Sequence, residues 1–334
     1  MRIVGIGGGT GLPVLLSGLR ALSEEGQPLD ITAIVTVADS GGSTGALRDA
    51  FNMPAMGDLR KCMISLAAEK AVLTSVCRHR FKHPDGFAGH SLGNLILSAL
   101  YQMSGSFADA VRQACELLQL LGRVLPATEA PVTLCALYED GGVARGEATI
   151  PQPGRRISRV WLEPQSPPAA PGVIEALEHA DAIVMGPGSL YTSIVPNFLV
   201  DGVPLAFQRS KATRIYISNL MTQPGETEGY SALNHIQSLL EYVSTVDVSL
   251  LNSSNVGTGV AERYLKSGSR IVQCKTTDED AIRRIGVVPV AAPLLNVEET
   301  KVRHDPATLA RLVVSLARGL IRAPEIICGQ GNGR

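Results

Sequence analysis

The first strand-like segment of the chain runs directly into a glycine-rich turn and then into a helix start. Residues 3–6 are a short apolar run, residues 7–11 read Gly-Gly-Gly-Thr-Gly, and Pro13 stands in the first helical turn, where no N–H donor is needed. Glycines allow a sharp turn that brings backbone N–H groups close to a ligand, and a helix N-terminus adds positive potential. This order of elements predicts a nucleotide phosphate site.

The glycine turn departs from the dinucleotide-binding pattern G-x-G-x-x-G, because Leu12 stands where the third glycine is expected. A tight strand-to-helix turn that binds nothing is therefore the alternative interpretation. The position of the turn at the end of a first strand favours the phosphate site. The predicted phosphate-binding residues are Gly8, Gly9, Thr10, Gly11 and Leu12.

The composition is that of an α/β protein with a large core. Of 334 residues, 45% are hydrophobic, 34 are glycines, and the formal net charge is −1. A near-neutral charge disfavours nucleic acid as the main partner, since binders of the phosphate backbone carry a basic excess. The sequence has no signal peptide pattern and no apolar run of bilayer length. Its 6 cysteines form no C-x-x-C pair, so we expect reduced thiols and a cytoplasmic protein.

Apolar, β-rich segments alternate with helical patterns along the chain, which predicts a doubly wound, mostly parallel sheet of the α/β class. The predicted strands are 31–37, 132–138, 182–185, 214–217, 246–250 and 270–272. The predicted helices include 14–23, 173–179, 232–242, 260–266 and 308–320. Parallel strands of this kind present their ligands at their carboxyl ends.

Two regions depart from this alternation. The chain is almost continuously helical from about 59 to 121, which is too long for one crossover and predicts a small helical subdomain. Residues 132–150 resemble a hairpin around Asp140-Gly141-Gly142. The proline-rich segment 152–171 is the best linker candidate, but a second glycine site follows it. We therefore expect one domain over 1–328 and a disordered tail over 329–334.

Three polar clusters follow strands or open helices in the first hundred residues. The segment after the second strand could bind an anion with its donors, and its acidic residue could hold a ribose hydroxyl or a metal. A simple turn that caps a helix is the alternative. The candidates in these clusters are Asp39, Ser40, Gly42 and Ser43, then Asp58, Arg60 and Lys61, then His90 and Asn94, of which the last two lie four apart on one helix face.

The second half of the chain repeats the pattern of strand, glycine turn and helix. Ser189 follows Gly-Pro-Gly but lacks the second flanking glycine of a hydrolase nucleophile, so it is predicted to donate to an anion. The next strand leads into a polar loop with amides and hydroxyls. The candidates here are Gly186, Gly188, Ser189, Asn219, Gln223 and Tyr230.

These motifs occur in a recognisable order: 7–12, 39–45, 57–60, 89–94, 186–193 and 221–227. Together they resemble the YvcK-like gluconeogenesis factors of the CofD-like superfamily, over nearly the whole chain. The resemblance implies a Rossmann-like fold with a small helical subdomain and a cytoplasmic location. It also implies binding of UDP-sugars such as UDP-N-acetylglucosamine, and a role in cell shape and wall synthesis during growth on gluconeogenic carbon.

A sister branch of that superfamily, 2-phospho-L-lactate transferase, uses magnesium and tends to carry two adjacent aspartates after the second strand and a downstream Ser-Pro-Asp. Here Ser40 follows Asp39, and no Ser-Pro-Asp is present. The difference favours a nucleotide-sugar-binding regulator without a required cofactor. The alternative is a magnesium-dependent transferase in which Asp39 and Asp58 are weak candidate metal ligands. In either case a homodimer is expected.

Overall fold

The computed structural model describes residues 1–68, 72–82, 89–272, 276–298 and 301–319. The strands are β1 (Arg2–Gly7), β2 (Asp30–Val35), β3 (Arg123–Pro126), β4 (Thr133–Tyr138), β5 (Val143–Arg145), β6 (Ile157–Glu163), β7 (Ala182–Met185), β8 (Thr213–Ile217), β9 (Val248–Asn252), β10 (Val288–Ala292), β11 (Leu295–Glu298) and β12 (Lys301–His304). The helices are α1 (Leu12–Glu24), α2 (Gly42–Phe51), α3 (Gly57–Leu66), α4 (Val72–Arg78), α5 (Leu92–Ser104), α6 (Phe107–Leu117), α7 (Val173–Glu178), α8 (Val195–Phe198), α9 (Val203–Arg209), α10 (Ala232–Leu240), α11 (Thr258–Lys266), α12 (Thr276–Arg284) and α13 (Pro306–Ala317).

The central sheet has the strand order β10-β9-β8-β7-β1-β2-β3, and each neighbouring pair is parallel. The chain moves outward from β1 through β2 to β3. It then returns to β7, on the other side of β1, and moves outward in the opposite direction. The predicted Rossmann-like, doubly wound sheet is thus confirmed. Open α/β sheets bind ligands at such a reversal of strand order, which here lies between β1 and β7.

The strands at the reversal are buried on both faces, which explains their unbroken apolar sequence. Ile3 lies opposite Ile31 of β2 and Ala182 of β7, and all three are fully buried. Helix α1 covers this part of the sheet and packs against α3 and α13. Gly18 allows the close approach of α13, because a Cβ at this position would collide with the Pro306 carbonyl. This packing fixes α3 and α13 beside the N-terminus of α1.

Helices α3, α4, α5 and α6 occupy the region predicted as a helical subdomain. Ser91 and Ser106 cap α5 and α6, because their side chains accept from the N–H groups of Asn94 and Asp109.

Within the described ranges, no helix combines the length and apolar character that a bilayer crossing needs.

The strands β5, β4 and β6 form a separate antiparallel sheet. The predicted hairpin is confirmed, and Gly141 adopts a φ of +83° in its turn while Asp140 accepts from the N–H of Gly142 at 2.9 Å. The linker candidate over 152–171, at which we expected no domain boundary, contains strand β6, whose residues pair with β4. Prolines at both ends of that segment concealed a short strand between them.

The C-terminal part of the chain differs from the sequence prediction, which placed a strand at 270–272 and did not include β10, β11 or β12. Residues 270–272 form only an isolated bridge between Ile271 and Met221, whereas the last strand of the central sheet is β10. The segment 270–272 has only three residues, and this pattern was too short to identify a strand. The predicted disordered tail over 329–334 lies outside the described residues.

Candidate functional site

Two glycine turns meet at the reversal between β1 and β7. Gly9 adopts a φ of +63°, and a Cβ on Gly11 would collide with the carbonyl of Pro187 in the second turn. Gly186, which opens that second turn, also has a positive φ, of +84°. Backbone packs directly on backbone here, which only glycine allows. The contact between the two turns therefore explains the pattern of glycines in the sequence.

A cleft of about 210 Å³ opens beside these turns, and we call it the central cleft. Seven predicted site residues line it: Gly9, Thr10, Gly11, Gly188, Ser189, Asn219 and Gln223. They come from the carboxyl ends of β1, β7 and β8, which are neighbours in the sheet. Buried Leu12 lies just beneath, as the first residue of α1. The structure thus brings together residues that the sequence separates by two hundred positions.

Polar side chains of the central cleft hold one another in place. Gln223 donates from Nε2 to Ser189 Oγ at 2.6 Å, and Asn219 donates from Nδ2 to Gln223 Oε1 at 3.2 Å. The Oδ1 atom of Asn219 is buried and has no partner among the described residues. A buried acceptor without a donor costs free energy, so this oxygen is suited to receive a hydroxyl or amide proton from a ligand.

The carboxylate of Asp58 is hydrogen-bonded to the backbone of the first glycine turn. Its Oδ2 accepts from the Gly9 N–H at 2.6 Å, and its Oδ1 accepts from Lys61 Nζ at 2.8 Å. Asp58 is buried in the first turn of α3, and a Cβ on Gly8 would lie 2.7 Å from its Oδ2. The Asp58 carboxylate thus accepts the Gly9 N–H, which is the donor that a phosphate oxygen would meet in a glycine turn.

A second carboxylate, Asp39, lies near Asp58. Its Oδ1 accepts from the Gly41 N–H at 2.9 Å. Burial and the negative charge of Asp58 raise the pKa of Asp39. Ser40 turns to the short helical turn that follows β5, where its Oγ accepts from the N–H of Ala148.

Two glutamates that were not predicted as site residues extend this acidic group. Burial, together with the charges of Asp39 and Asp58, raises the pKa of Glu147 to about 7. Burial and the charge of Glu147 raise the pKa of Glu226 to about 7, and its Oε1 accepts from Thr192 Oγ1 at 3.1 Å. Carboxyl groups that titrate near neutral pH can exchange protons with a ligand.

Arg60 turns away from the central cleft. Its Nε donates to Asn94 Oδ1 at 2.8 Å and its Nη1 donates to the Cys77 carbonyl at 3.3 Å. Asn94 in turn donates to Ser43 Oγ at 3.3 Å, and His90 Nδ1 lies 3.0 Å from the same oxygen. Four predicted binding residues therefore form a network that joins α2, α3 and α5. Gly42 begins α2 at a φ of +47°.

Tyr230 is likewise outside the lining of the central cleft. Its hydroxyl lies 3.0 Å from that of Tyr191, and its ring packs edge-on against His235 at 5.3 Å. Burial lowers the pKa of His235 to about 4, so this imidazole is neutral at pH 7. The tyrosine pair fastens the loop that carries Gln223 and Glu226 to the segment after β7.

Four residues from the C-terminal part of the chain line the central cleft and were not predicted: Tyr264, Val302, Arg303 and His304. Arg303 donates from Nη1 to Thr10 Oγ1 at 3.4 Å, and Tyr264 Oη accepts from the Val302 N–H at 2.9 Å. His304 donates toward the Ser218 carbonyl at 3.1 Å, and burial lowers its pKa to about 4. The cleft therefore gains a cation and an aromatic ring from the segment around β12.

The sequence and the fold were compared with known proteins. A profile of the family 2-phospho-L-lactate transferase CofD matches residues 3–295. The chain is 40% identical over 319 residues to the gluconeogenesis factor of Bacillus subtilis, with 95% of this chain and 98% of the relative covered. A relative of Thermotoga maritima is 42% identical over 321 residues, with 95% and 100% covered.

The chain belongs to the gluconeogenesis factor family, within the CofD-like superfamily. A solved structure from Bacillus halodurans, described as a member of the upf0052 family, superimposes with a TM-score of 0.88 at 37% identity. The alignment covers 94% of this chain and 99% of that one. The resemblance inferred from six motifs is thereby confirmed at the level of family and fold.

Asp39 and Asp58 are the candidate ligands for a divalent cation. Among the described residues, no three His, Cys, Asp or Glu side chains come together as a ready metal site. Asp39 and Asp58 carry hard oxygen donors. The ammonium group of Lys61 lies beside Asp58 and balances its negative charge. Magnesium commonly combines one or two carboxylates with phosphate oxygens and water. These residues fit an ion that arrives with a phosphate-bearing ligand.

Proposed function

We propose that the chain binds a UDP-sugar of the UDP-N-acetylglucosamine type in the central cleft. In this role it acts as a cytoplasmic regulator of cell shape and wall synthesis during growth on gluconeogenic carbon. The observation that carries the proposal is the contact of the two glycine turns at the reversal between β1 and β7. Backbone N–H groups and a helix N-terminus at such a reversal favour a diphosphate.

The lining of the central cleft supplies a separate group for each part of such a ligand. Arg303 offers positive charge beside Thr10 for the diphosphate. The unpartnered Oδ1 of Asn219 can accept from a hydroxyl or from the N–H of a base. The ring of Tyr264 offers an aromatic surface. At about 210 Å³ the cleft is smaller than the ligand, so the UDP-sugar would reach beyond it.

Titration calorimetry of UDP-N-acetylglucosamine, UDP-glucose, GDP-mannose and ADP-glucose tests this proposal. The two UDP-sugars should bind at one site per chain, and the other two should bind more weakly. A ligand at 100 times its dissociation constant should also stabilise the fold by about 2.7 kcal/mol. Equal affinity for all four, or binding that survives replacement of the cleft residues, would argue against a UDP-sugar site.

One observation favours a second function, a magnesium-dependent transferase that resembles 2-phospho-L-lactate transferase. Asp39, Asp58 and Glu147 place three mutually repelling carboxyl groups beside the glycine turn. A cation bound to the ligand phosphate would relieve that repulsion. The transferase requires turnover and the regulator does not.

A further inference from the structure

A second cavity, of about 540 Å³, lies between α1, α3, α4 and the segment from β12 to α13. It shares Thr10, Val14, Arg303 and His304 with the central cleft, so the two are neighbours across the side chains next to the glycine turn. We call it the basic cavity, because Arg20, Lys61, Arg78 and Arg303 line it. Its size is within the range of sites for small molecules.

The charge of the basic cavity is positive and only partly balanced. No Asp or Glu is among the described residues that line it. Arg20 pairs with Glu24 at 3.0 Å and Lys61 pairs with Asp58 at 2.8 Å. Within the described ranges, the ion pairs include no partner for Arg78 or Arg303. A concave surface lined by one sign of charge concentrates ligands of the opposite sign.

The remaining lining is divided between hydroxyl groups and apolar side chains. Thr10, Ser17 and Ser65 carry hydroxyls, and a hydroxyl can donate to an anionic oxygen. Pro13, Val14 and Ile64 form an apolar surface beside them. Guanidinium groups and hydroxyls together match a doubly charged phosphate, whereas the apolar surface matches an uncharged body.

We propose that the basic cavity binds a second ligand, a phosphate monoester with an apolar body, next to the UDP-sugar. The guanidinium groups of Arg78 and Arg303, which have no carboxylate partner within the described ranges, meet the dianion. The side chains of α1 and α3 meet the apolar body. The adjacency to the UDP-sugar rests on the function proposed above. The anion site itself rests only on the lining of the basic cavity.

Phenyl phosphate is the probe, and titration calorimetry of the full chain is the measurement. We expect one equivalent to bind, while benzyl alcohol, which lacks the charge, does not bind and benzoate binds more weakly. Arg78→Ala should weaken phenyl phosphate about tenfold, the loss of one charge-assisted hydrogen bond. Ser17→Glu, which adds a carboxylate on α1, should weaken it at least as much.

Arg209→Ala is the matched control. Arg78 and Arg209 are each the last residue of a seven-residue helix and both are exposed, but Arg209 is outside the cavity lining. Phenyl phosphate affinity should be unchanged in this variant. Failure of phenyl phosphate to bind the wild type, equal binding of benzoate, or equal losses in Arg78→Ala and Arg209→Ala would overturn the proposal.

A second titration uses protein saturated with UDP-N-acetylglucosamine. Phenyl phosphate should still bind with one equivalent if the two ligands occupy neighbouring sites. Full competition between them would show that the basic cavity belongs to the UDP-sugar site, and the second-ligand proposal would be wrong. Absence of UDP-sugar binding together with intact phenyl phosphate binding would reject the proposed function and leave the anion site standing.

Discussion

The backbone N–H of Gly9 donates to Asp58 Oδ2 at 2.6 Å, so a carboxylate of α3 holds the glycine turn that follows β1. Lys61 holds the other oxygen of the same carboxylate at 2.8 Å. A phosphate that enters the turn must share or replace this hydrogen bond. The proposed ligand site and the packing of α3 on α1 are therefore linked through one side chain.

Asp58→Ala should lower the free energy of unfolding by about 1.5–3 kcal/mol, because a buried charge-assisted hydrogen bond is lost. Asp58→Asn retains an oxygen acceptor for Gly9 and should lower it less. Urea denaturation of both variants measures the difference. If the two variants were equally stable, the bond to Gly9 would contribute little to the fold.

Gly9→Val should abolish UDP-sugar binding in a folded protein. The position has a φ of +63°, and a Cβ would approach Ser193 Oγ to 3.1 Å, so a branched side chain both strains the backbone and blocks the turn. Gly26→Val is the control, since Gly26 also has a positive φ but has no atom near its Cβ position. Calorimetry should show lost binding only in Gly9→Val. Equal affinity in the two variants would move the phosphate away from this turn.

Arg60→Ala and Arg303→Ala should separate stability from affinity. Arg60 is buried and bonded to Asn94, so its loss should cost about 2–3 kcal/mol of unfolding free energy and leave UDP-sugar affinity nearly unchanged. Half-buried Arg303 lines the cleft, so its loss should weaken the ligand about tenfold at nearly constant stability. Melting curves and calorimetry on both variants test the contrast. A reversed pattern would place Arg60 at the ligand.

Glu226→Gln should make the fold more stable above neutral pH. The pKa of Glu226 is raised from 4.5 to about 7, so this group favours the fold fully below pH 4.5 and loses that contribution as the pH rises to 7. At pH 8 the wild type carries the full cost of a buried carboxylate. The variant should then exceed it by about 1–3 kcal/mol, and the two should converge near pH 4. Urea denaturation at pH 4, 6 and 8 measures this, and a constant difference at all three values would contradict it.

The sequence predicted the glycine turns because a strand, a glycine run and a helix start are neighbours in the chain. The role of Arg60 was harder to predict, although helical geometry contains a signal. Asp58 and Lys61 are three apart and share a face of α3, whereas Arg60 lies about 200° around the helix from Asp58. From this helical spacing, Arg60 would have been predicted to face away from Asp58, on the side of α3 where α5 lies.

Arg303 could not be predicted in the same way. It meets Thr10 across 293 positions of sequence, and it lies on a two-stranded antiparallel sheet whose placement depends on the packing of α13 against α1. Glu147 depends on the register of the small antiparallel sheet, which brings Ala148 to Ser40. No local pattern encodes either contact. The positions of both residues depend on how separate layers of the fold pack against each other.

Removal of divalent cations should distinguish the regulator from the transferase. Ser40 follows Asp39 in place of a second carboxylate, and Lys61 already balances the charge of Asp58, so a regulator needs no ion. UDP-N-acetylglucosamine affinity should then be nearly unchanged in EDTA, and long incubation with candidate acceptors should give no product. A transferase would behave differently, since magnesium would join Asp39, Asp58 and the phosphate. Affinity that collapses without magnesium, with product formation lost in both Asp39→Asn and Asp58→Asn, would establish the transferase in place of the regulator.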